Sequence, residues 1–319
     1  MGFVDLHCDS IWGVMESGEA LRSKGGHLSL ERMKKAGYTL QTFAMFVQME
    51  RYPNTFEQCM AMIETYHREL EQNRDLIGPV FTYEDILRNQ AEGRMSALLS
   101  LEEGEVCQGD VEHLRQFYEL GARMMTLTWN FPNSLAWPNT VRGSRFGVPQ
   151  TDKGLTERGI AFLEEMERLG MIVDVSHLGD AGFYQVMEHT TKPVIASHSN
   201  ARTVCPHVRN LTDDMIRKIA ERGGVIGLNF CGDFVDPAEK NAFASIEKLA
   251  DMANYLKQVG GIECIALGSD FDGIGPGVEL TGCQDMPLLA EGFARAGFTA
   301  SEVEMICEGN ALRFLRESL

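Results

Sequence analysis

Residues 3–9 read Phe3-Val4-Asp5-Leu6-His7-Cys8-Asp9, an apolar, strand-forming run that ends in a histidine and an aspartate two positions apart. Side chains two apart on a strand leave from the same side, so His7 and Asp9 converge on one point just past the strand end. A neutral imidazole beside a carboxylate is a ready pair of ligands for a divalent metal such as zinc. Cys8, between them, points to the opposite side and reads as packing. A lone His-x-Asp is more often a buried histidine beside a turn aspartate. The rest of the chain decides against that, because the same kind of strand end recurs.

Outward from this stretch, apolar runs rich in strand formers alternate with helical patterns. Strands are expected at 3–8, 39–46, 95–101, 122–128, 171–175, 193–197, 223–229 and 264–269, with amphipathic stretches at 56–73, 110–120, 155–169, 213–222 and 245–259. Such alternation means a parallel sheet with crossover helices. The strand count is that of a (β/α)8 TIM barrel of the metal-dependent hydrolase type, formed by one domain over residues 1–319, since no linker splits the pattern. Gly121, Gly170 and Gly260-Gly261 each follow a helical pattern and precede a strand, where a left-handed C-cap belongs. The longest irregular segment, 129–154, follows the fourth strand and is expected to wall or cover the catalytic face.

Composition narrows the function. A formal charge of −17 argues against nucleic acid or an anionic membrane as partner. No apolar run approaches the roughly 20 residues that span a bilayer, and the N-terminus lacks a signal-peptide pattern. Eight cysteines are scattered without a CxxC pair, which reads as reduced thiols in a cytoplasmic protein.

Barrel enzymes gather their chemistry at the C-terminal strand ends. Those ends read His7 and Asp9 on the first strand, Glu102-Glu103-Gly104 after the third, Ser176-His177 after the fifth, His198-Ser199-Asn200 after the sixth and Asp270-Phe271-Asp272-Gly273 after the eighth. Three His, one Asp and one Glu suffice for two divalent ions about 3.5–4 Å apart, with Glu102 as the bridge. Asp270 is then a candidate to take a proton from the attacking water and pass it to the leaving group. Glu103 is the weaker rival of Glu102. His27, His67, His113 and His189 fall in loops or helical stretches and read as surface or packing residues. His207 lies in a loop that lines the site, and Arg209 in the same loop is placed to clamp a substrate carboxylate.

With those residues in view, the chain resembles the membrane dipeptidase (renal dipeptidase) family of zinc metallopeptidases, within the amidohydrolase-like barrels. The resemblance runs end to end. Its most specific parts are Val173-Asp174-Val175-Ser176-His177, Pro193-Val194-Ile195-Ala196-Ser197-His198-Ser199-Asn200-Ala201-Arg202 and Gly268-Ser269-Asp270-Phe271-Asp272-Gly273. The resemblance implies two Zn2+ or similar ions per chain. One would be held by His7 and Asp9, the other by His177 and His198, with Glu102 bridging. It implies dipeptide hydrolysis by a metal-bridging hydroxide, often with tolerance for a C-terminal D-residue. Asp270 would stand near the bridging water and the substrate amine, and Arg209 would bind the terminal carboxylate. The expected partner is a small dipeptide, and the resemblance allows a homodimer.

One departure stands out. The family often has a histidine after the fourth strand that assists at the transition state; here the stretch reads Leu127-Thr128-Trp129-Asn130. An indole donates one hydrogen bond and carries no charge, so Trp129 and Asn130 are expected at the substrate, where they bear on range and rate. Deaminases and phosphotriesterase-like hydrolases, the neighbouring amide and ester hydrolases, begin with His-x-His and often use a carboxylated lysine on the fourth strand. This chain has His7-Cys8-Asp9 and no lysine in 121–130. The alternative from another class is a catalytically impaired relative that only binds peptides.

Overall fold

A computed structural model describes residues 1–139, 152–238 and 240–319. The described strands are β1 (Phe3–Cys8), β2 (Tyr38–Phe46), β3 (Ile77–Pro79), β4 (Met95–Glu102), β5 (Ala122–Thr126), β6 (Ile172–Asp174), β7 (Ile195–Ala196), β8 (Val225–Leu228) and β9 (Ile265–Leu267). Hydrogen bonding runs β1-β2-β4-β5-β6-β7-β8-β9 and returns to β1, closing an eight-strand parallel barrel. This is the expected (β/α)8 architecture. β3 is an addition that the sequence reading does not contain. It pairs with Met95–Ala97 of β4, on the edge that β5 takes over from Leu99.

Helices fill every crossover. α1 (Ser10–Ser17) and α2 (Leu30–Ala36) follow β1, α3 (Thr55–Gln72) and α4 (Tyr83–Ala91) flank β3, and α5 (Val111–Glu119) follows β4. α6 (Glu157–Leu169), α7 (Asp180–His189) and α8 (Asp213–Glu221) follow β5, β6 and β7. α9 (Gly232–Val235) and α10 (Ile246–Gly260) precede β9, and α11 (Met286–Arg295), α12 (Ala300–Glu304) and α13 (Asn310–Ser318) end the chain. Their starts are set by side-chain caps: Thr156, Thr212 and Ser245 accept from the backbone N–H groups of Gly159, Met215 and Lys248. Gly170 closes α6 at φ 78°, as its position before a strand requires.

The barrel interior has two storeys. Its floor is apolar: Val4, Leu40, Leu98, Met124, Ile172, Ile195, Val225 and Ala266, one from each barrel strand, pack with Ala311, Phe314 and Leu315 of α13. Two residues further along most strands, on the same face, the side chains turn polar or vanish: Ser100, Thr126, Asp174, Ser197, Gly227 and Gly268, all buried or without a side chain. At Gly227 and Gly268 a Cβ would run into the carbonyl of Ser197, so the interior is narrow there. Another step of two reaches Glu102, Ser176, Asn229 and Asp270. Hydrophobic burial therefore stabilises the lower barrel, and the upper barrel is left to chemistry.

Two seams are thinly paired. β1 and β9 share the single ladder position Asp5↔Leu267, with pairing resuming past β9 only at the Cys8↔Phe271 bridge, and β6 and β7 share the single position Asp174↔Ile195. The loop expected over the site at 129–154 lies partly outside the described residues. Among the described residues, no helix is long and apolar enough to cross a membrane.

Candidate metal centre

The strand ends bring the five expected ligands together. His7 Nε2 lies 3.1 Å from Glu102 Oε2 and 3.6 Å from Asp9 Oδ2. The other Glu102 oxygen, Oε1, lies 3.2 Å from His177 Nε2 and 3.8 Å from His198 Nε2. Glu102 thus divides its two oxygens between the halves of the cluster. Potential ligand atoms of His7, Glu102 and His198 lie within 4.8 Å of one another, as do those of His7, Asp9 and Asp270. The rings of His7 and His198 approach to 3.7 Å between centroids.

The donor set suits cations. Asp9 Oδ1 is a buried polar atom that forms no hydrogen bond within the described residues, and His7 Nε2 and Glu102 Oε2, only 3.1 Å apart as an ion pair, form none either, an arrangement that costs free energy unless something else binds them. Burial together with the Glu102 and Asp270 charges pushes the Asp9 carboxyl well above the usual range. Burial would depress His7, but Glu102 and Asp9 raise it well above an ordinary histidine. Burial and the Arg209 charge hold His177 down to about 3, so its ring is neutral and its lone pair available. Carboxylates that gather positive charge beside neutral imidazoles form a divalent-metal site.

The imidazoles are oriented from behind. His177 Nδ1 lies 2.9 Å from Asn130 Oδ1, which places the ring proton on Nδ1 and turns Nε2 toward Glu102. His198 Nδ1 lies 2.7 Å from Ser197 Oγ. His177 and Asp270 both have left-handed backbones, at φ 65° and 62°, uncommon for residues with side chains. A side chain at Gly273 would collide with the carboxylates of Asp9 and Asp270, so that turn presses bare backbone against the site.

Asp270 belongs to the cluster. Asn229 Nδ2 donates to its Oδ2 at 2.9 Å, while burial, only partly offset by His7, raises its carboxyl above the usual range. Arg209 arrives from the β7–α8 loop; its Nη1 donates to Ser199 Oγ (2.9 Å) and Nη2 to His198 O (3.1 Å). Its Nε is buried without a partner among the described residues. Burial pulls this guanidinium down to about 10, so it remains charged at neutral pH. His207, expected to line the site, stands beside Arg209 and accepts its backbone N–H.

Glu103 faces elsewhere. Its carboxylate accepts from the backbone N–H groups of Glu105 (2.9 Å) and Trp129 (3.1 Å) and from the Asn133 side chain. It anchors the segment that carries Trp129 and Asn130, whereas Glu102 stands among the histidines. The half-buried Trp129 ring lies 4.9 Å from Phe46, 5.5 Å from Phe131 and 6.1 Å from His177, an aromatic wall along one side of the cluster. Cys8 packs in the outer apolar core although Val4 and Leu6, of the same parity, line the floor, because the β1 register shifts between Asp5 and Cys8. Sequence reasoning did not single out Asn229 or Ser197. Their signal was position alone, a polar residue at a strand end.

The whole chain agrees with this geometry. The family model for membrane dipeptidase, peptidase family M19, matches residues 1–318. The chain belongs to that family. Dipeptidase aclJ of Aspergillus oryzae is 31% identical over 306 residues, covering 91% of this chain and 69% of its own. An uncharacterised dipeptidase of Schizosaccharomyces pombe is 32% identical, covering 92% and 72%. Among solved structures, dipeptidase AC, an M19 metallopeptidase, superposes with a TM-score of 0.90 at 25% identity, covering 100% of this chain and 98% of that one. A Rhodobacter sphaeroides metallopeptidase, liganded with a phosphinate mimic of the dipeptide L-Ala-D-Ala, superposes at 0.89 with 24% identity, covering 100% and 99%. Family and relatives make this M19 protein a hydrolytic metallodipeptidase.

Proposed function

We propose that the protein is a zinc-dependent dipeptidase with two ions per chain, accepting dipeptides whose C-terminal residue has the D configuration. The observation that carries the two-ion reading is the division of the Glu102 oxygens between His7 and the His177–His198 pair. His7 and Asp9 would hold one ion, His177 and His198 the other, and Glu102 both. Bound there, the ions supply an acidified water and polarise the scissile carbonyl.

The remaining steps belong to the chain. Asp270, held by Asn229, takes the proton of the attacking water and delivers it to the leaving amine. Arg209, with its unpartnered Nε, binds the terminal carboxylate and so limits the enzyme to dipeptides. Trp129 shapes the space for a substrate side chain. The liganded R. sphaeroides structure supports a D-residue at the second position. Among the described residues none of the eight cysteines is joined in a disulfide and seven are buried, which supports a reducing, cytoplasmic setting.

The test is metal analysis joined to a panel of L,L- and L,D-dipeptides. Two equivalents of zinc, loss of turnover on chelation and recovery on zinc addition are expected. Undiminished turnover by metal-free protein would overturn this reading, and a single tightly held equivalent would overturn the two-ion part.

A further inference from the structure

The two thinly paired seams of the barrel are closed by the same device. At β1/β9 the ladder residue Asp5 reaches across to Ser269, two positions beyond its ladder partner Leu267. Asp5 Oδ1 accepts the N–H of Ser269 (2.8 Å) and Oδ2 accepts its hydroxyl (2.6 Å). At β6/β7 the ladder residue Asp174 reaches across to Ser197, two positions beyond Ile195. Asp174 Oδ1 accepts the N–H of Ser197 (3.0 Å) and Oδ2 accepts its hydroxyl. Each aspartate also accepts the N–H two residues along its own strand, from His7 (3.4 Å) and Ser176 (2.9 Å). All four side chains are fully buried. The residue after each serine is a site residue, Asp270 in one case and His198 in the other.

We propose that Asp5 and Asp174 are positioning residues, each replacing missing ladder hydrogen bonds and, through its serine, aiming the site residue that follows. The proposal rests on His198 being a ligand, as argued above. At the second seam it also fixes a proton. Asp174 receives four donors, the fourth being Thr126 Oγ1 at 3.0 Å, so the single Ser197 hydroxyl proton is committed to the carboxylate. That hydroxyl can then only accept from His198 Nδ1, leaving the Nε2 lone pair toward Glu102 and His177. At the first seam the Ser269 hydroxyl accepts the Phe271 N–H at 3.1 Å. Asp270 is thereby held, in its left-handed conformation, between two fixed residues.

Asp174→Asn tests the relay. With its oxygen kept under the two backbone N–H groups, the new NH2 faces the Ser197 hydroxyl, which must turn its proton toward His198 Nδ1. The ring proton then moves to Nε2, the atom that must stay bare. Long-range 1H–15N spectra of the full-length, 15N-histidine-labelled protein after chelation read the tautomer, and Zn2+ titration reads the binding. Expected are an Nδ1–H tautomer at His198 in the parent, Nε2–H in the variant, and about 10–100-fold weaker binding of one zinc equivalent. Asp5→Asn should lower kcat while leaving the His198 tautomer unchanged.

Ser197→Ala keeps both backbone acceptances of Asp174 and removes the relay together with one of the four donors. It should release the tautomer and weaken the same zinc equivalent with little change in Tm, and it decides the matter if Asp174→Asn does not fold. An Nδ1–H ring with parent-like zinc affinity in these variants would overturn the proposal. So would an Nε2–H ring in the parent. A parent that takes up no zinc would defeat the two-ion reading instead, and the tautomer comparison would still judge the relay.

Discussion

The side-chain oxygen of Asn130 sits 2.9 Å from Nδ1 of His177, on the far side of the ring from Glu102. Asn130 lies in the loop after β5 and His177 just beyond β6, so a loop residue sets the aim of a candidate ligand from the neighbouring strand. Asn130→Ala should weaken metal binding by about 10–100-fold, the usual effect of losing such a partner. Asn130→Asp, which keeps an acceptor at that place, should restore most of the affinity. Zinc titration of both variants is the check, and equal affinity in parent and alanine variant would remove Asn130 from the site.

Asp270→Asn keeps the shape of the side chain and removes the base. The kcat for the best dipeptide should fall by about 10²–10⁴ while zinc content stays at the parent level. Steady-state kinetics with metal analysis on the same preparation measures both. A near-parent kcat would leave Asp270 only its place in the turn.

Arg209 makes a prediction about the substrate instead of the enzyme. A charge-assisted pair with the terminal carboxylate is lost when that carboxylate is amidated. Free dipeptides should therefore be turned over much faster than their amides by the parent, and at equally low rates by Arg209→Ala. Comparing kcat/KM for matched pairs checks this; a parent indifferent to amidation has no such clamp.

Trp129 packs against Phe46 and Phe131 and faces the His177 ring, which makes it part of a wall. Trp129→His should shift preference among substrate side chains without a large gain in the best kcat/KM. An oxyanion donor is typically worth about 10²–10³ in rate. A hundredfold rise across all dipeptides would therefore show that the indole leaves the parent short of a transition-state contact.

Much of this was legible in the chain because barrel strands end in a regular way. The five candidate ligands and Asp270 stand at or just past the C-terminal ends of apolar runs, and period-two alternation places Leu98, Ser100 and Glu102 on one face of β4. Ile77-Gly78-Pro79 was not legible as a strand: three residues with a glycine and a proline carry no periodic signal. β6 and β7 are also shorter than their apolar runs, since pairing there stops where Asp174 and Ser197 take over the hydrogen bonds. Asp5, Asp174 and Asn229 were opaque as site residues for a related reason. A buried polar side chain acquires its role from the neighbouring strand, and that neighbour lies far away in sequence. Glu102 was preferred to Glu103 because it follows the apolar run most directly, and the fold adds that Trp129 and Asn133 occupy the Glu103 carboxylate.

The apolar floor of the barrel has a bearing on traffic. Among the described residues, eight strands and the underside helix fill the space below the candidate ligands with buried apolar side chains, so the mouth is the side left for traffic. Whatever is cut in two inside departs by the side its replacement must enter.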